Sequence, residues 1–289
     1  MNHLTSIVDE SSALEVAVGG FSFTEGPVWN PRSQSLLFSD IPANRTYRLA
    51  GGQLSVARAE SNKTNGNTYD REGRLISCEH LTSSVVRIEN DGSRTTLASH
   101  YQGQELNSPN DVIVDSRGAI YFTDPVFGRT EEAMGQTREI LQPVRGVYRI
   151  TNDAREPELL IADRDAPNGL CFSENEQFLF VNDTTSNEIW RYELKHGSVL
   201  AGGGLWARPT GDASGSVDGM KIDSDGNLYC TGPGGVFVYS RDASLIGVIA
   251  VPEPVGNFAW GGADLRTLYL CASTTVYSLR VRVAGIPLF

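Results

Sequence analysis

Glu25, Asn65, Asn110, Asn168, Asp218 and Asn257 are the residues of this chain whose types and spacing point to chemistry. Each stands 10 or 11 residues ahead of an aliphatic residue in a short apolar run: Leu36, Leu75, Ile120, Leu179, Leu228 and Leu268. All six carry a side-chain oxygen, and two are carboxylates. Asparagine and aspartate are poor strand formers, so packing alone would not select them where a strand begins. Capping of turns explains one or two such residues well and all six badly. Oxygen donors gathered on rigid strands make a site for a hard cation, two carboxylates balancing a divalent charge and amide carbonyls supplying neutral ligands. Calcium, which tolerates about six to eight oxygens, suits the set best, and magnesium, manganese or zinc could replace it. The set holds no histidine, which disfavours a dedicated zinc site.

Something must bring these six positions together. The apolar runs behind them form an internal repeat: "QSLLFSD" (34–40), "GRLISCE" (73–79), "GAIYFTD" (118–124), "QFLFVND" (177–183), "GNLYCTG" (226–232) and "RTLYLCA" (266–272). Their aliphatic anchors are 39, 45, 59, 49 and 40 residues apart. Turns such as "DREG", "DSRG" and "DSDG" precede the runs, and further strands follow, as in "SVVRIEN" and "GVFVYS". Four short strands in a unit of roughly 40–45 residues are the signature of a propeller blade. The expected fold is therefore all-β, a six-bladed β-propeller with a central metal site, forming one domain over residues 1–289. The first strand of each blade lines the axial channel, so the six positions become a ring. The strand-like "ALEVAV" near the N-terminus is expected to complete the last blade and remove an open edge. The final "GIPLF" is expected to pack against that closure.

Composition limits the partners. A formal charge of −11 argues against nucleic acid and anionic membranes. No apolar run approaches the roughly 18 residues of a membrane span, and the first residues lack the basic start and apolar core of a signal peptide. Cys78, Cys171, Cys230 and Cys271 all fall in strand-like runs without CxxC or Cys/His spacing, which reads as buried thiols in a reducing, cytoplasmic setting. The four histidines match no triad motif. The glycine clusters at 202–204 and 232–235 lack the helix and Lys-Ser/Thr of a phosphate loop.

At "TEGPVW", "NGNTYDREGRLISCEH", "LNSPNDVIVDSRGAIYFTDP", "PNGLCFSENE", "SVDGMKIDSDGNLY" and "FAWGGADLRTLYL" the chain resembles the senescence marker protein/gluconolactonase family of sugar-lactone hydrolases. The motifs run in family order over most of the chain. The resemblance implies a six-bladed propeller, an axial divalent metal and hydrolysis of lactones such as gluconolactone. It implies Glu25, Asn168 and Asp218 as metal ligands, with Asn110 at a position that contacts metal or substrate in different members. Bacterial members often carry a basic pair just before "LNSPND", where this chain has Gln104 and Glu105. The related diisopropylfluorophosphatases share the four-ligand pattern, which makes phosphotriester cleavage an alternative. A non-catalytic propeller that binds a protein or sugar on its top face is another.

Lactone hydrolysis at such a site needs no nucleophilic side chain. A metal polarises the ester carbonyl and stabilises the developing oxyanion while water attacks. Asp218 is the expected base, with one oxygen free to face the lactone, and Glu25 a ligand only. Asn110 and Asn65 are expected to orient the substrate, with Asn107 as a further candidate and Asp111 anchoring the loop behind them. Asp40, Glu79, Asp124 and Asp183 close the second strands on the same face, Asp40 and Glu79 as solvated loop carboxylates. His80 is expected there in a structural role. The long connection 125–146 accounts for the 59-residue spacing and emerges on that face, as a lid or a plain surface loop.

Overall fold

Turn glycines and strand-length apolar runs divide the chain into antiparallel meanders, and the computed structural model arranges these around one axis. It describes residues 3–9, 11–151, 156–200 and 202–289. Blade 1 consists of Thr24–Asn30, Ser35–Asp40, Arg45–Ala50 and Gln53–Arg58. Blade 2 consists of Thr64–Tyr69, Leu75–Glu79, Ser84–Ile88 and Arg94–Ala98. Blade 3 runs from Val112–Val114 to Glu158–Ile161, and blade 4 from Pro167–Phe172 to Gly204–Ala207. Blade 5 spans Met220–Ile222 to Leu245–Ala250. Blade 6 is built from Val255–Gly261, Thr267–Ala272, Thr275–Arg280 and, from the other end of the chain, Glu15–Gly19. The expected six-bladed propeller is thus the observed fold, and "ALEVAV" closes it: Glu15 pairs with Ser278 and Gly19 with Thr275.

The repeated runs supply the core. Leu36, Leu179, Leu228 and Leu268 are buried between adjacent blades, as are Ile76, Phe122 and Tyr148. Each blade alone exposes two apolar faces, so packing on both neighbours is what makes it stable. All four cysteines are buried and unpaired. Among the described residues no helix is long and apolar enough to cross a membrane.

The innermost strands are irregular where they begin. Ladder register shifts between Glu25 and Val28, Thr64 and Asn67, Pro167 and Leu170, and Val255 and Asn257. Such bulges kink a strand and turn its side chains to a new direction. Glycine follows the bulged residue in four blades, and the space a Cβ would fill is taken by the next blade. A Cβ on Gly26 would lie 2.0 Å from the Asn65 carbonyl oxygen, one on Gly66 2.4 Å from that of Asn110, and one on Gly169 2.0 Å from that of Asp218.

Two expectations need correction. "GIPLF" does not lie on the closing strand. It crosses the mouth of the channel opposite the six slots, where the Leu288 carbonyl accepts from Arg71 at 2.6 Å and Phe289 packs edge-on against Tyr69. Asp40 and Glu79 are not solvated; both are buried. Asp40 accepts the backbone N–H groups of Ser22 and Phe23, and Asp183 those of Asp165 and Ala166. Asp124 accepts that of Asn107. Each carboxylate closes its second strand by clamping the segment that leads into the first, and these charge-assisted hydrogen bonds offset desolvation only partly at Asp124. Glu79 does the same through Asn62, and is neutralised by Arg58 and Arg94 at 2.9 and 2.8 Å.

The close approach at the glycines gives a direct test. Gly169→Ala should cost roughly 3 kcal/mol or more, because backbone on both sides must move. Gly204→Ala on an outer strand, with nothing within 4 Å of the added Cβ, should be near neutral. Thermal melts of the two variants compare them; equal melting temperatures would mean that the blades can slide apart at no cost.

Candidate active site

Bulges in blades 1, 2, 4 and 6 kink the first strands where the slot residues stand. The expectation for blade 6 needs correction: Gly256, not Asn257, takes the place of Glu25 and Asn168, and Asn257 stands where blade 3 has Asp111, because the bulge adds a residue that a constant spacing does not reveal. Glu25, Asn65, Asn110, Asn168 and Asn257 are buried, and Asp218 keeps some exposure. Backbone contacts fix the ring: the carbonyls of Asn65, Asn168 and Asp218 accept from Ser39, Thr123 and Asn182 of the preceding blade at 2.9, 2.8 and 2.6 Å. The Asn110 carbonyl accepts from Gly66 N–H at 2.8 Å.

The side chains then divide into three kinds. Glu25 takes the N–H of Gly26 on Oε2, and its Oε1 is buried without a partner. Asn168 donates Nδ2 to Thr184 at 3.0 Å, and its Oδ1 is likewise buried and unpaired. Thr184 passes the restraint on to the Val217 carbonyl, one residue before Asp218. Asn257, within the strand Val255–Gly261, takes the N–H of Phe258 on Oδ1, and its side chain favours the charged forms of Glu25 and Asp111. Asn110 makes no side-chain hydrogen bond among the described residues, which leaves its amide free for the channel.

Asn65 is oriented by a residue whose purpose the sequence left open. Its Nδ2 lies 3.5 Å from His80 Nε2, while His80 Nδ1 lies 2.9 Å from the Met134 carbonyl. A carbonyl can only accept, so Nδ1 carries the proton and Nε2 receives the amide. Burial holds the His80 pKa down to about 4, keeping the ring neutral. Asn107 is fully buried, and its Nδ2 is spent on the carbonyls of Asp124 and Val144. It braces the segment leading to Asn110.

Three carboxylates converge. Burial, then the charge of Asp111, raises the Glu25 pKa; burial, then the charges of Glu25 and Asp111, raises that of Asp218 well above the ordinary range. Asp111 is more than the loop anchor expected of it: Oδ1 accepts Val112 N–H, but Oδ2 is buried and unpaired, and burial raises its pKa too. A clue existed in the sequence, since Asp111 stands in the slot where four blades have glycine. Among the described residues no three His, Cys, Asp or Glu side chains form a metal cluster by themselves. Amide oxygens are needed to complete a donor set, and the orphaned Oε1 of Glu25 and Oδ1 of Asn168 fit a hard divalent cation.

The connection 125–146 is hydrogen-bonded to the segments that lead into Asn65 and Asn110. It carries a short helix, Phe127–Thr130, and the wholly buried Arg129. Arg129 donates to the carbonyls of Asn107, Leu106 and Glu139 and pairs with Glu105 at 2.5 Å. Glu105, where the family often has a basic residue, thus meets a cation from this connection. Lys63 donates to the carbonyls of Glu132, Ala133 and Gly135, and Arg138 to those of His80 and Leu81.

Comparison with known proteins agrees with this geometry. Residues 23–274 match the family profile described as SMP-30/Gluconolactonase/LRE-like region. A gluconolactonase of Zymomonas mobilis is 29% identical, the match covering 98% of this chain and 85% of that protein. A pentonolactonase of Haloferax volcanii is 28% identical over 92% of this chain and 84% of its own. The solved structure of a gluconolactonase from Xanthomonas campestris superposes with a TM-score of 0.90 at 30% identity, covering 97% of this chain and 93% of that one.

The carboxylate set makes a prediction about pH. Without metal the folded pKa values of Glu25, Asp111 and Asp218 lie above their unfolded ones, and Asp124 is raised to about 7 by burial. Folded protein then binds more protons than unfolded, so this stability is present at acid pH and lost as pH rises through the folded values. Chelator-treated protein should melt at a lower temperature at about pH 8 than at about pH 6.5; unfolded His80, half titrated at about 6.5, opposes this change by less than the carboxylates contribute. Added calcium should shrink the difference to the part that Asp124 contributes. A flat profile without metal would mean that these carboxylates do not converge.

Proposed function

The chain belongs to the SMP-30/gluconolactonase/LRE-like family, and from that premise we propose that it is a divalent-metal-dependent hydrolase that opens sugar lactones. Relatives named gluconolactonase and pentonolactonase support the substrate class. The observation that carries the metal dependence is the pair of buried, unpartnered oxygens on Glu25 and Asn168 beside the Asp218 carboxyl. A propeller serving only as a binding platform has no use for such groups.

In this reading Glu25, Asn168, Asp218 and Asn110 hold the cation, calcium by preference. When bound, it polarises the lactone carbonyl and stabilises charge developing on the carbonyl oxygen. Asn110 and Asn65 orient the lactone, Asn65 with its Nδ2 committed to His80 and its carbonyl end available. Asn107 positions Asn110 from behind rather than touching substrate. Asp218, the ring residue with residual exposure, accepts the proton of the attacking water as the new C–O bond forms. The ring C–O bond then breaks, and the same proton passes from Asp218 to the departing alkoxide. The connection 125–146 acts as a wall that excludes water and steadies His80 and Asn107, not as a moving lid. The chain works as one domain, since the blade closed by Glu15–Gly19 unites its two ends. Four buried free thiols support a cytoplasmic setting.

Two variants separate ligand from base. Glu25→Gln and Asp218→Asn should both weaken calcium binding, measured by titration calorimetry. At saturating calcium Glu25→Gln should recover most gluconolactone hydrolysis. Asp218→Asn should remain about 10²–10⁴-fold slower, the usual worth of a positioned base. Equal rescue would remove Asp218 as the base.

A further inference from the structure

The axial channel continues behind the ring as a cavity of about 250 Å³. First strands of all six blades line it, through Trp29, Tyr69, Ile113, Phe172, Met220 and Trp260 among others, and none of the slot residues does. Residues 286–289 cross its mouth, held by the bond from Arg71 to the Leu288 carbonyl and by Arg32, 4.8 Å from the centre of the Phe289 ring. Four charged side chains belong to the lining, and three of them are already partnered. Arg71 also donates to the Asp115 carbonyl at 3.1 Å, Glu174 pairs with Arg241 at 2.8 Å, and Glu176 accepts the N–H and hydroxyl of Ser116. The fourth is Lys221, partly buried on the strand Met220–Ile222. Among the described residues it makes no hydrogen bond and no ion pair.

We infer that this cavity is a second ligand site, which takes a monocarboxylate with an apolar body of about ten carbons. The carboxylate pairs with Lys221, and the body packs against Trp29, Tyr69, Phe172 and Trp260. A partly desolvated ammonium beside apolar walls gains by pairing with an anion, and the protein supplies none within ion-pair reach. One positive charge selects one negative charge, since the second charge of a phosphate would stay unbalanced out of water. Size follows from volume: a cavity of about 150 Å³ takes benzene, so one of about 250 Å³ takes about ten carbons. The inference goes beyond the metal-dependent reading and does not rest on it, because no residue assigned to the cation or the lactone lines the cavity.

Titrations of chelator-treated protein with decanoate test the site, with Trp29 and Trp260 as its reporters. Decanoate should change the tryptophan fluorescence and saturate at one molecule per chain. Lys221→Met should bind it about tenfold more weakly, through loss of one partly desolvated charge pair, and bind 1-decanol as wild type does. Lys221→Arg, which keeps the charge, should stay close to wild type. Absence of saturable decanoate binding would overturn the site, and so would an equal loss of both probes in Lys221→Met. A response that survives Trp29→Phe combined with Trp260→Phe would place the ligand elsewhere and overturn it too. So would binding that appears only with added calcium, because the carboxylate would then sit on the ion at the ring. Should Lys221→Met not fold, Lys221→Gln takes its place. The deciding titrations contain no divalent ion, so failure of the metal-dependent function leaves their outcome intact.

Discussion

Everything at the axis depends on how closely one backbone approaches the next. Where Gly26, Gly66 and Gly169 follow a slot residue, the carbonyl of the neighbouring slot residue occupies the place of a side chain. That contact sets the circumference of the ring. A larger residue would push adjacent blades apart and spread the oxygens beyond the reach of one cation, whose oxygen ligands lie at roughly 2.3–2.6 Å. The hydrogen bonds from Ser39, Thr123 and Asn182 to slot carbonyls work in the same direction. Rigidity thus comes from main chain, and the side chains are left free to coordinate.

The electrostatics oppose this compaction. Glu25, Asp111 and Asp218 are brought out of water into one another's fields, an arrangement that desolvation and repulsion both disfavour. The fold tolerates it because the strain is confined to the axis, while six apolar interfaces surround it. Away from the axis Asp40 and Asp183 are satisfied by backbone N–H groups and Glu79 by two arginines, while Asp124 keeps one oxygen without a partner. The unpartnered oxygens of Glu25, Asp111 and Asn168 stand out because they belong to three residues at the start of first strands on the axis, whereas the others are scattered hydroxyls, the Asn107 amide and Asp124.

Much of this was legible in the sequence, for identifiable reasons. Strand periodicity and the repeated aliphatic anchors determine the blades, and constant spacing from anchor to slot locates Glu25, Asn168 and Asp218. What the sequence concealed lies between blades. Asp111 looked like a neighbour of Asn110, because nothing local reveals that it faces Glu25 across the axis. His80 and Asn65 share a blade, but their pairing depends on Met134 arriving from the long connection. Asp40 and Glu79 were misjudged as solvated because strand ends resemble loops in sequence, while the segments they clamp come from earlier in the chain.

The strand Glu15–Gly19 is synthesised before all five of the blades that separate it from its partner, Thr275–Arg280. During translation the early strand must therefore wait while five blades form. Its exposed pairing groups are a hazard in that interval, since an unpaired edge can recruit other chains. The ring of donors closes only when the two ends meet, because blade 6 brings Gly256 against Glu25 Oε1. Nascent chains consequently have no completed ring of donors, and the ring forms only once blade 6 has been made.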